Sequence, residues 1–172
     1  MYSNFYAAGP SLSYNSAGGR GRNRYPTYGE LQVETDAAGL ARGYLASEAN
    51  FRSLKRYEER NLIVPLVGDF AGPKALRAVG QYARDHGARV TTFYTSNVEN
   101  YLFQNGVWGE FAKNVATLPL DESSRIIRSC FDSCPAPPGS RVRMFVDPIL
   151  PLLRDVAAGR IRTYYDVLGH GR

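Results

Sequence analysis

The sequence is poor in the residues on which most catalytic and metal chemistry is built. Its 172 residues include 2 His, 2 Cys, 2 Met and 1 Trp. His86 sits at a predicted helix end, where a cation favours the helix dipole, and His170 sits in a terminal Gly-His-Gly. No Gly-x-Ser-x-Gly elbow occurs, so no Ser–His or Cys–His triad assembles and catalytic residues stay unassigned. Clustered His and carboxylate ligands are missing too. Cys130 and Cys134 have no His nearby and fall short of the four ligands, or three plus water, of a zinc site; they are expected as reduced, half-buried thiols. No apolar run approaches the roughly 20 residues that span a bilayer. The start, Met1 to Tyr6, lacks a basic stretch followed by an apolar one, so a cytoplasmic protein without a signal peptide is expected.

What is present is ordinary globular material, 44% hydrophobic and 22% charged, of a length that suits one domain with a real core. Residues 1–25 are rich in Gly, Ser, Tyr and Asn and read as an irregular segment; residues 26–172 read as a single α/β domain. The formal charge of +5 owes part to Arg20, Arg22 and Arg24, which have no acidic neighbours. They point either to an arm for nucleic acid or another acidic partner, or to a solubilising linker.

Periodicity supplies the elements. Thr27 and Glu30 have capping-box spacing ahead of a helix to about Ala38, and Ser47 caps a helix from Glu48 to about Arg60. The apolar run Leu62–Val67 has the length and composition of a strand buried on both faces of a parallel sheet, although Pro65 inside it removes a ladder donor. A glycine loop, Gly68–Gly72, leads through Pro73 into a helix that Gly87 ends. Arg89–Tyr94 reads as a second strand, and Ser96 and Glu99 form another capping box on a helix through Phe103. Val107–Lys113 suggests a short helix, Val115–Leu118 a strand, and Asp121 the cap of a turn or helix containing Ile126 and Ile127. Val142–Val146 reads as a strand, followed by a helix from Pro148 to Ala158. The succession is βαβ grammar, which predicts an α/β fold with a mostly parallel sheet and flanking helices.

In such sheets ligands gather beyond the carboxyl ends of the strands. Two loops meet that description. In the first, Asp69, Phe70, Gly72 and Lys74 offer a carboxylate, a close-approach glycine and a cation at a helix start; the plainer reading is that Asp69 caps the helix and the glycines allow the turn. The spacing is neither a P-loop nor Gly-x-Gly-x-x-Gly. In the second, Tyr94, Ser96, Asn97 and Glu99 offer hydroxyls, an amide and an acid, though capping alone accounts for Ser96 and Glu99. No metal ligands are assigned.

The stretch Glu59-Arg60-Asn61-Leu62-Ile63-Val64-Pro65-Leu66-Val67-Gly68-Asp69-Phe70-Ala71-Gly72-Pro73-Lys74, with Ser96-Asn97-Val98-Glu99 and Leu118-Pro119-Leu120-Asp121 further on, resembles uncharacterised bacterial proteins with a methyltransferase-like Rossmann domain. The resemblance implies that fold, and S-adenosylmethionine as a cofactor. It also implies that this chain corresponds to the C-terminal half of a longer protein, because the expected glycine-containing cofactor loop is missing. Methyl transfer to a small-molecule substrate, once completed by an upstream half, is the activity it implies. A sheet edge left open by missing strands favours a homodimer. The other readings are a non-catalytic interaction module and a nucleotide-binding α/β protein that takes phosphate at Asp69–Lys74.

Overall fold

The computed structural model describes residues 6–12, 26–130, 134–135 and 142–170. Arg20, Arg22 and Arg24 lie outside the described residues. The chain divides into two compact units, Met1–Pro65 and Leu66–Arg172.

In the first unit a 3-10 turn at Gly9–Ser11 precedes helix α1 (Tyr28–Gln32). Its capping box forms as expected: Thr27 Oγ1 accepts from the Glu30 amide at 3.1 Å, and Glu30 Oε2 accepts from the Thr27 amide at 2.7 Å. The helix ends at Gln32 instead of running to Ala38, because Asp36 competes for the backbone. Its Oδ1 collects the Ala38 and Leu40 amides, both at 2.9 Å, into a turn. Helix α2 (Glu48–Glu59) starts where Ser47 Oγ accepts from the Asn50 amide at 3.1 Å. None of the described residues of this unit is buried.

The run Leu62–Val67 forms no strand. Its apolar side chains are exposed, from 42% at Ile63 to 101% at Val67. Pro65 has no amide to donate, and Ile63, Val64, Leu66 and Val67 make no backbone hydrogen bond to a described residue. The pattern expresses a tendency to be buried that nothing among the described residues meets.

The second unit contains helix α3 (Ala75–Asp85), strand β1 (Thr92–Ser96), helices α4 (Val98–Gln104) and α5 (Trp108–Val115), strands β2 (Arg125–Cys130) and β3 (Arg143–Pro148), and helices α6 (Ile149–Ala157) and α7 (Tyr164–Gly169). The described strands form one sheet in the order β1-β2-β3. The β1–β2 pair is parallel and β2–β3 is antiparallel, so the sheet is mixed where a mostly parallel one was expected. The parallel pair is bridged by α4 and α5. Between β2 and β3 the sequence carries Pro135, Pro137, Pro138 and Gly139, which oppose the crossover helix that another parallel strand would need.

Three further expectations change. Val115 is helical, completing an α5 stripe of Trp108, Phe111, Ala112 and Val115 at i, i+3, i+4 and i+7, so Val115–Leu118 is a helix end and a turn. Ile126 and Ile127 belong to β2. Cys130 and Cys134 are joined in a disulfide instead of standing as free thiols: their Cα atoms lie 5.8 Å apart, within the range that a disulfide spans.

The core lies between the sheet and its helices, and includes Leu102 of α4, Phe111 of α5, Ile126 of β2, Ile149 of α6 and Val167 of α7. Helix α3 closes against the turn after α5 at Gly80. A Cβ there would lie 2.8 Å from the Thr117 carbonyl oxygen, so only glycine permits the approach.

Candidate functional site

The first candidate loop is held by its own hydrogen bonds. Asp69 Oδ1 accepts from the Ala71 amide at 2.9 Å, closing a turn, and the Gly72 amide donates to the Asp69 carbonyl at 3.2 Å. Buried Asn114 of α5 supports the loop from below: its Nδ2 donates to the carbonyls of Phe70 at 3.0 Å and Gly72 at 2.8 Å, while its Oδ1 accepts from Arg77 Nε at 2.8 Å. Phe70 packs into the core beside Phe93 and edge-on to Phe111. Lys74 is exposed at the start of α3. A Cβ on Gly68 would meet the Ala75 Cβ at 2.4 Å, and one on Gly72 would meet the Asp69 Cβ at 3.0 Å. Both glycines therefore let the loop fold on itself, and neither opens a cradle for a ligand.

The second candidate loop is built differently from a capping box. Ser96 is the last residue of β1 at φ 55, a left-handed conformation uncommon for a serine, where the register with β2 slips. Asn97 takes the N-cap position without a side-chain cap bond. Glu99, expected to cap the helix, instead turns inward and is 1% exposed. The cation whose charge reaches it is Arg128 of β2, which is 0% exposed and shares the core-facing side of the strand with Ile126 and Cys130. Arg128 Nη2 donates to Asp147 Oδ2 on β3, and its Nη1 donates to the Val167 carbonyl of α7 at 2.8 Å. Burial pushes the Glu99 carboxyl up to about 7, against the pull of Arg128 and with a further push from Asp147. Burial, then the Glu99 charge, raises the Tyr164 phenol as well.

Arg128, Asp147 and Tyr164 were not found from the sequence. The available signal was the period-2 placement of Arg128 between Ile126 and Cys130, a cation on an otherwise apolar strand face that requires a partner. Among the described residues, no hydrogen bond or ion pair joins the polar groups of the two candidate loops, and no group of three or more His, Cys, Asp or Glu is arranged to hold a metal.

Tyr94 parts company with Glu99 altogether. It lies on the opposite face of the sheet, in register with Ile127 of β2 and, through it, Val146 of β3. Side chains at paired positions share a face. Tyr94 is 58% exposed, Val146 61% and neighbouring Met144 48%, while Ile127 between them is half-buried and Ser129 on the same face is buried, so the exposed apolar groups of this face lie on its two outer strands.

The sequence matches a domain of unknown function, DUF7790, over residues 14–144. The chain belongs to the DUF7790 family. That family description names no activity, and it carries no support for a methyltransferase-like relationship or a bacterial source. Comparison with curated proteins finds no match. In this DUF7790 chain the matched span includes both candidate loops, α4, Ile127, Arg128 and Met144, and it ends before Val146, Asp147, α6 and α7.

Proposed function

We propose that this DUF7790 chain acts as a binding module that docks a protein partner on the open face of its sheet. The observation behind this reading is the cross-strand row Tyr94–Ile127–Val146 with Met144 beside it. A parallel strand pair is ordinarily covered on both faces, and here the second face leaves Tyr94, Met144 and Val146 exposed on either side of half-buried Ile127. A second copy of the chain is one such partner. The test compares wild type with Val146→Glu, whose side chain points out of the sheet and leaves the core facing α5 untouched. Sedimentation velocity reads self-association, and capture from native extract reads other partners. Association that Val146→Glu abolishes, with Trp108 fluorescence unchanged, supports the module; association indifferent to the substitution refutes it.

A second reading is the one the resemblance implies: S-adenosylmethionine-dependent methyl transfer in the cytoplasm. It is favoured by Ser96, held at positive φ at the carboxyl end of a parallel strand, a position where α/β folds gather ligands. The described residues do not fit that cofactor on their own, since Gly68 and Gly72 are filled by their own loop and no glycine cradle follows β1. A cradle would have to come from residues beyond them. Calorimetric titration with S-adenosylmethionine decides it: no heat of binding ends this reading and leaves the docking face untouched.

A further inference from the structure

On the core side of the sheet, away from the docking face, four elements bring charged or titratable groups together: Glu99 from α4, Arg128 from β2, Asp147 from β3 and Tyr164 from α7. One guanidinium is bonded to one carboxylate and one carbonyl, and acts on the second carboxylate, Glu99, through its charge alone. Asp147 takes Nη2, the Val167 carbonyl takes Nη1, and Arg128 Nε and Glu99 Oε1 have no hydrogen-bond partner among the described residues. Helix α7 is short. Its hold on the sheet consists of the buried side chains of Val167 and Leu168, the Arg128 bond to Val167, and a long bond of 3.4 Å from the Tyr164 hydroxyl to the Ser129 carbonyl.

We propose that Glu99 is a buried proton-binding site that latches α7: with Glu99 neutral, Arg128 is shared by Asp147 and the Val167 carbonyl, and with Glu99 charged, the guanidinium is drawn to the second carboxylate and lets the carbonyl go. The charge count explains the direction. Arg128 and Asp147 balance one another, so the proton on Glu99 leaves the cluster neutral, and its loss leaves one unmatched negative charge in a site shielded from water. A buried carboxylate without hydrogen bonds is costly, and Arg128 is the cation acting on it. Movement of Arg128 toward Glu99, or entry of water to solvate it, loosens α7 by either route. The rise of the Glu99 carboxyl to about 7 places the change near neutral pH.

Hydrogen exchange of the α7 amides, corrected for the intrinsic pH dependence of exchange, tests the latch in the full chain between about pH 6 and about pH 8. His170 caps α7 and lies 3.0 Å from Asp155 of α6, so it is a second titratable group on this segment and needs its own control. The expected result is a loss of protection on the order of tenfold in wild type as pH rises, absent in Glu99→Gln and retained in His170→Gln. A flat wild-type profile, the same loss in Glu99→Gln, or its disappearance in His170→Gln overturns the proposal. Should Glu99→Gln fail to fold, carbon-13 titration of the Glu99 carboxyl in wild type decides: its midpoint must coincide with that of α7 loosening.

Discussion

Replacing Glu99 with Gln should make the second unit more stable at neutral and alkaline pH while leaving it unchanged in acid. The ordinary carboxyl value is 4.5, and burial raises Glu99 to about 7. Below the unfolded value both states hold the proton and Glu99 costs nothing. As pH climbs from there through the folded value, the unfolded chain gives up its proton while the folded chain must keep it or bury a charge. Stability therefore falls with rising pH, and the loss is complete just above the folded value. At about 1.4 kcal/mol per unit, the full loss is roughly 3 kcal/mol. Glutamine keeps the shape and never ionises, so it avoids the penalty. Urea denaturation followed by Trp108 fluorescence is the assay, since the single tryptophan is buried in α5 and reports the second unit. Subtracting one protein's profile from the other cancels every other titrating group. The difference should be near zero at about pH 4.5 and grow to roughly 3 kcal/mol by about pH 8. A constant difference across that range would refute the buried, unmatched carboxylate.

Two further outcomes follow from packing and polar pairing. Asn114→Ala leaves the carbonyls of Phe70 and Gly72 without their donor and frees Arg77; it should cost about 2–4 kcal/mol by the same denaturation and raise hydrogen exchange in the 68–74 loop. Gly80→Ala drives a Cβ against the Thr117 carbonyl at 2.8 Å and should cost about 1–3 kcal/mol as α3 shifts off the turn after α5.

Much of the helical part was legible because local chemistry decides it. Ser47 caps α2 through the Asn50 amide, Gly87 takes the positive φ that follows α3, and the Trp108-to-Val115 stripe is a helix period whatever surrounds it. The capping-box reading of Ser96 and Glu99 failed for a tertiary reason. The residue types and spacing were right, but Arg128, brought alongside by the β1–β2 pairing, supplies a buried charge for the acid to face. Asp69 differs from its plainer reading as a helix cap: its side chain accepts from the Ala71 amide and closes its own turn, while Lys74 holds the N-cap position of α3 without a side-chain bond. Asp147 was hidden because it is unremarked alone, and the placement of Arg128 on an apolar strand face signals a partner without saying which. They acquire meaning through antiparallel pairing of β2 with β3, which no short-range pattern encodes.

The apolar run Leu62–Val67 and the row Tyr94–Ile127–Val146 share one lesson. An apolar pattern reports that burial is favourable, at about 25 cal/mol per Å² removed from water, and is silent on which surface provides it. The size of the open face then limits the partner. Three strands about 4.8 Å apart, each about five residues long at roughly 3.3 Å per residue, present only on the order of 200 Å² in projection. A standard stable interface takes about 800 Å² from each partner. Docking confined to this row is therefore weak and readily reversed. A long-lived complex has to grip surface beyond it, so Val146→Glu should abolish a transient association outright and only weaken a stable one.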